Sequence, residues 1–112
     1  MPKYIFTYHL PEGYTPGTDS NATAAWQSFF DGIASHVADI GQPVFDRRAL
    51  GKVGAGTQLG GYSVMEADDL DAAVRLAKGC PSLEWAGGVQ VGALAELPAS
   101  AVERIRERAA QR

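Results

Sequence analysis

Imidazole is the side chain that titrates near neutrality, and the chain has two of them, His9 and His36. His9 closes the run Lys3-Tyr-Ile-Phe-Thr-Tyr-His and precedes a stretch rich in Pro and Gly. It therefore stands where a strand ends and a cleft can open, and it is the candidate general acid or base. The plainer alternative is a turn histidine bonded to backbone. His36 and Asp39 are three residues apart, a spacing at which a helix lets a carboxylate orient an imidazole and raise its pKa. An edge histidine and a surface carboxylate near a helix end explain the same pair. Asp46, Arg47 and Arg48 are consecutive, so on a strand Asp46 and Arg48 share one side and Arg47 takes the other. Arg48 would suit a carboxylate-bearing ligand through its two-pronged donors. Charge that protects an edge strand from aggregation accounts for the trio equally well. If a cleft exists, His9, Trp26, Phe30, Arg48 and Tyr62 are expected to line it as ligand-binding residues. The aromatic members, with Tyr8 and Trp85, also read as core.

Other chemistries lack their residues. Two histidines with no third ligand at a metal-binding spacing predict no metal site. One cysteine, Cys80, allows no internal disulfide, and beside Pro81 it reads as a small buried hydrophobe. The glycines Gly51, Gly54, Gly56, Gly60 and Gly61 do not make a nucleotide loop. Leu59 occupies the place of the third glycine, Lys52 follows no phosphate-loop frame, and no helix begins directly after them. Ser63 lacks the second glycine of a nucleophile elbow. No cofactor is expected.

The elements that must position these residues follow from periodicity. Lys3 to His9 alternates as a strand, with Tyr4, Phe6 and Tyr8 on one side. Leu10 to Asn21 reads as a loop. Ser20 or Asn21 is suited to cap a helix on which Trp26, Phe29, Phe30, Ile33, Val37 and Ile40 form one stripe over about five turns. Gly41 and Pro43 would end it. Val44 to Val53 is predicted as a weak edge strand, Gly51 to Gly56 as a turn, and Gly61 to Glu66 as a strand. Asp68 and Asp71 have capping-box spacing before a helix through Leu70, Ala73, Val74 and Ala77 that stops at Gly79. Ser82 to Gly88 is a loop, and Val89 to Leu97 is the last strand. A helix from Pro98 or Ser100, with Ser100 and Glu103 at capping-box spacing, ends the chain. Its narrow stripe of Val102, Ile105 and Ala109 suits the surface or a partner.

At 112 residues and 46% hydrophobic content the chain suits one soluble domain: residues 1–97, with 98–112 as a helix of the same domain. The formal charge is −3, and the terminal Arg104, Arg106, Arg108 and Arg112 are interleaved with Glu103 and Glu107, which argues against a nucleic-acid partner. No apolar run approaches the ~20 residues that span a bilayer. The N-terminus lacks a signal peptide's apolar core, so the expected compartment is the cytoplasm. The order β-α-β-β-α-β plus a tail helix fits an α+β ferredoxin-like fold with both helices on one face of the sheet. The strand-1 aromatics are too much apolar surface to leave in water, so a second copy of the sheet is expected as a cover, giving a homodimer.

Gly61-Tyr-Ser-Val-Met-Glu-Ala-Asp-Asp, the helix ending at Cys80-Pro81, and Gly87-Gly-Val-Gln-Val resemble the second half of the YCII-related family. Tyr4-Ile-Phe-Thr-Tyr-His, the helix carrying Trp26, and Gly41-Gln-Pro fit its first half more loosely. The resemblance implies a dimeric α-β barrel with a cleft between sheet and helices. Some family members are enzymes with an Asp after strand 1 and a His on helix 1. Here His9 ends strand 1, Phe29 or Phe30 falls nearest the helix position, and an Asp-Gly-Pro-Phe tetrad is absent. Three functions are compatible with these residues. One is small-ligand binding near His9. A second is a lyase or hydrolase with His9 as acid/base and Arg48 as anion clamp. The third is a regulatory interaction module using the sheet or the tail helix.

Overall fold

A computed structural model describes residues 1–14, 20–53 and 55–111, the side chain of Ser20 excepted. The expected Ser20 cap, much of the loop after strand 1, Gly54 and Arg112 therefore lie outside the described residues. The fold is α+β: an open four-stranded antiparallel sheet with three α-helices. The strands are β1 (Lys3–Pro11), β2 (Val37–Asp39), β3 (Thr57–Glu66) and β4 (Gly88–Ala93), in the order β2-β3-β1-β4. The helices are α1 (Ser20–Ile33), α2 (Leu70–Ala77) and α3 (Ala99–Ala110), with short 3-10 turns at Ala34–His36 and Pro81–Leu83.

Alternation along β1 separates the two faces of the sheet. Tyr4, Phe6, Tyr8 and Leu10 are buried, while Ile5, Thr7 and His9 are half-exposed. Phe6 pairs with Ser63 and Tyr4 with Met65, so the dry face continues across β3. Phe29 and Ile33 of α1, with Ala73 and Ala77 of α2, join these residues in one core cluster. The aromatics of β1 thus already lie under the helices of their own chain, which corrects the expectation that a second copy must shield them. The half-exposed face carries Ile5, Thr7, His9, Tyr62 and Val64 instead.

The helical stripe runs past the real end of α1. Beyond Ile33 the chain tightens through Ala34–His36 and becomes β2, where Val37 pairs with Met65 and Asp39 with Val64. β-Branched Val37 fits an extended backbone, and the edge of β3 supplies the hydrogen bonds that a longer helix would have supplied internally. Gly41, with φ +74°, is therefore a turn residue after a strand and not a helix stop. The predicted strand Val44 to Val53 does not form. Tyr62 N donates to Gln42 O and Val44 N to Gly60 O, and past Val44 the chain leaves the sheet. β3 starts at Thr57, earlier than expected, and carries a bulge opposite Tyr8 and His9 that leaves Gly60 without a register partner on β1. β4 ends at Ala93, short of Leu97.

Asp69, not Asp68, caps α2: its Oδ1 accepts from Ala72 N at 2.8 Å. Neither Ser100 nor Glu103 caps α3, whose N-cap is Pro98 with no side-chain bond. No residue of α3 is buried, and Ile105 on its apolar stripe is 62% exposed. Among the described residues no helix is long and apolar enough to cross a membrane.

Asp69→Ala should cost ~1 kcal/mol of unfolding free energy, whereas Asp68→Ala and Asp71→Ala should change it by about half that or less. Urea unfolding of the three variants measures the difference.

Candidate functional site

Between α1 and the dry face of the sheet lies an open cleft of about 370 Å³. Tyr8 and Leu10 of β1 and residues 60–63 of β3 form its floor. Trp26 and Phe30 form its helical wall, with Ala22, Thr23 and Gln27 beside them, and residues 40–43 with Phe45 form the facing wall. Tyr14 closes one side. The volume lies in the usual range of small-molecule sites, ~300–1,000 Å³.

Two glycines shape it. A Cβ at Gly41 would collide with the Tyr62 carbonyl, so only glycine lets the turn press against β3. A Cβ at Gly61 would crowd Gln42 O at 3.2 Å and Pro43 Cα at 3.4 Å, holding the wall away from the floor. A polar relay then fixes the rim. Arg47 donates from Nη2 to Val44 O at 2.8 Å and from Nη1 to Gln58 Oε1 at 2.6 Å. Gln58 Nε2 donates in turn to Tyr14 O at 2.9 Å.

The centre of the aromatic wall is Tyr8, 5% exposed. It meets Trp26 edge to face at 4.9 Å, Phe30 at 6.2 Å and Phe29 at 6.5 Å. Such contacts contribute ~0.5–1.5 kcal/mol each beyond area burial. Trp26 and Phe30 stack at 5.9 Å, and Trp85 closes edge-on against Trp26 while stacking on Tyr14. Tyr8 Oη is buried with no hydrogen-bond partner among the described residues. Burial pushes its ionisation well above the ordinary phenol range, and the nearby Ser63 hydroxyl offsets this in part. That hydroxyl makes its own 2.6 Å bond by donating to Ile40 O.

The residues expected to meet at one site are divided. Trp26 and Phe30 lie side by side on the helical wall of the cleft. Tyr62 borders it, although strand alternation gives its side chain the face of Thr7, its partner in register. His9 is one residue on from Tyr8 and so belongs to the opposite face, where its Nε2 lies 3.0 Å from Thr7 Oγ1. Arg48 is exposed and donates to Arg47 O at 2.7 Å; it does not line the cleft. His36 and Asp39 do not pair: His36 Nδ1 bonds Glu66 O at 3.1 Å, and Asp39 Oδ1 accepts from Gly41 N at 2.9 Å. Leu10, Ala22 and Phe45 are lining residues that periodicity did not single out, and Ile40 was expected on the helical stripe rather than on the facing wall; the Gly60-Gly61 pair within a strand was the one signal of that wall.

Among the described lining residues there is no Asp, Glu, Lys, Arg or His. Cys80 is buried beneath the sheet, its thiol 3.0 Å from Ser82 Oγ and pushed up in pKa by burial. Among the described residues no group of three or more His, Cys, Asp or Glu could hold a metal ion. A scan against protein-family models gave no match for this chain, and neither did a comparison with curated proteins.

The folded chain holds the Tyr8 proton that the unfolded chain gives up above about pH 10. Unfolding in that window releases a proton, so stability is complete below pH ~10 and falls as pH rises beyond it. A phenolate absorbance titration of the folded chain should show a late step, and Tyr8→Phe should remove it.

Proposed function

We propose that this chain binds a small, largely apolar organic ligand in the cleft between α1 and the sheet, without turning it over. The observation that carries the reading is the cleft itself: 370 Å³, walled by Tyr8, Trp26, Phe30 and Phe45. A dry apolar cavity of ~150 Å³ already accepts one benzene ring, so this one has room for a substituted or fused aromatic system. The enzyme reading is weaker, because its acid/base candidate His9 and its anion clamp Arg48 are not among the lining residues. A neutral aromatic compound such as naphthalene should raise the unfolding midpoint, by an amount that grows with the logarithm of its concentration. Thr23→Trp, which sets an indole at the exposed rim, should abolish that shift while leaving the free protein's midpoint nearly unchanged. A midpoint indifferent to every such compound would exclude the ligand-binding reading.

The same proposal takes the chain to be a YCII-related, ferredoxin-like homodimer of the cytoplasm. The strand order β2-β3-β1-β4, antiparallel throughout, supports that fold. The half-exposed face with Ile5, Tyr62 and Val64 is the surface a second copy would cover. Sedimentation at micromolar concentration should give a dimer, and Val64→Glu should yield monomers that retain the fold.

A second reading is favoured by α3, which presents Val102 and Ile105 without burying either. It makes this helix the docking element of a regulatory interaction. Removal of residues 98–112 should then cost the chain its partner and leave ligand stabilisation intact.

A further inference from the structure

We infer that the cleft selects electrically neutral aromatic molecules and rejects their anionic and cationic counterparts, an inference that rests on the ligand-binding reading above. Its described lining offers no charged side chain of either sign. The cations nearest in sequence to its wall do not line it: Arg47 holds Val44 O and Gln58 Oε1 through its two terminal nitrogens, its buried Nε alone lacking a partner among the described residues, and Arg48 is turned to Arg47 O. An anion moved from water into this site would lose its hydration and gain no counter-charge, and a buried ion is tolerated only when it is paired.

Two of the lining's neutral polar side chains are committed as well. Ser63 donates to Ile40 O, and Gln27 Nε2 donates to Asp31 at 2.9 Å. Tyr8 adds an uncharged phenol whose hydroxyl has no partner among the described residues, a neutral donor that supplies no counter-charge. The positive end of α1 is the feature that would favour an anion, since Ala22 and Thr23 of its first turn stand at the rim. It acts at the rim, whereas the aromatic wall begins a turn further along, at Trp26.

Cations fail for a different reason. A cation is held by the open face of a ring, and on the helical wall Trp26 and Phe30 turn theirs toward each other. Trp26 and Phe30 stack at 27°, while Trp26, Phe29 and Phe30 meet Tyr8 at 73° to 89°. The ring edges that remain toward the cleft suit flat hydrocarbon that meets them edge to face. The ligand class is thus a neutral, mainly aromatic compound, such as an amide, ester, ketone or hydrocarbon, and not the corresponding acid or ammonium.

Two matched pairs test this by calorimetry at neutral pH on the native protein and on Thr23→Trp. Naphthamide should bind roughly 100-fold more tightly than naphthoate, and tert-butylbenzene at least ~10-fold more tightly than phenyltrimethylammonium. Naphthoate binding as tightly as naphthamide would give the helix end the deciding role and overturn the inference. So would phenyltrimethylammonium matching its hydrocarbon isostere, which would mean an aromatic cation site. If neutral and charged members all bind with similar strength, the cleft binds ligand but does not select by charge. If no compound binds, or if binding survives Thr23→Trp, the ligand-binding reading fails and the selectivity fails with it.

Discussion

An extended backbone turns every second side chain to the same side, and in β1 that side is taken by Tyr4, Phe6, Tyr8 and Leu10. This row cannot face water, so α1 and α2 must lie across it, and the remaining architecture follows from where they can be placed. Phe6 and Met65 are fully buried at the centre of the core. Tyr8, two residues further along, sits where α1 stops covering the sheet closely. One half of its surroundings is core, through Phe29 and Phe6, and the other half is the cleft. Core and candidate site are therefore one continuous aromatic layer.

Much of this layer could be read before any coordinates. The two-residue period of β1, the later part of β3, the stop of α2 before Cys80 and Pro81, and an exposed terminal helix all follow from local pattern. The end of α1 does not. Val37 and Ile40 continue the three-and-four spacing of Trp26, Phe29, Phe30 and Ile33, and nothing local distinguishes that helix from a helix followed by a strand. The choice is made by β3, whose free edge pairs with Val37 and Asp39. The cap of α2 was ambiguous for a simpler reason: Asp68 and Asp69 are adjacent, and only the φ/ψ of the chain decides which one reaches a free amide.

The site was half visible for the same kind of reason. Trp26 and Phe30 are four apart on a helix and had to share a face. His9 was the natural residue to suspect chemically, yet the alternation that buries Tyr8 also sends His9 to the other side of the sheet. The facing wall depended on non-local facts. It needs a turn at Gly41, a bulge at Gly60 and the absence of a side chain at Gly61 before Ile40 and Phe45 can come over the floor. Such approaches between distant segments leave only a faint imprint in sequence, here a pair of glycines inside a strand.

The links from Arg47 through Gln58 to Tyr14 join three stretches of chain that are far apart in sequence. Every acceptor in this chain of contacts is an amide or peptide oxygen, and the guanidinium keeps its proton in any medium the fold survives. Nothing in it dissociates, and no opposite ion is present to be shielded by added electrolyte. The mouth of the cleft accordingly keeps its outline across buffers and ionic strengths that would loosen a carboxylate latch.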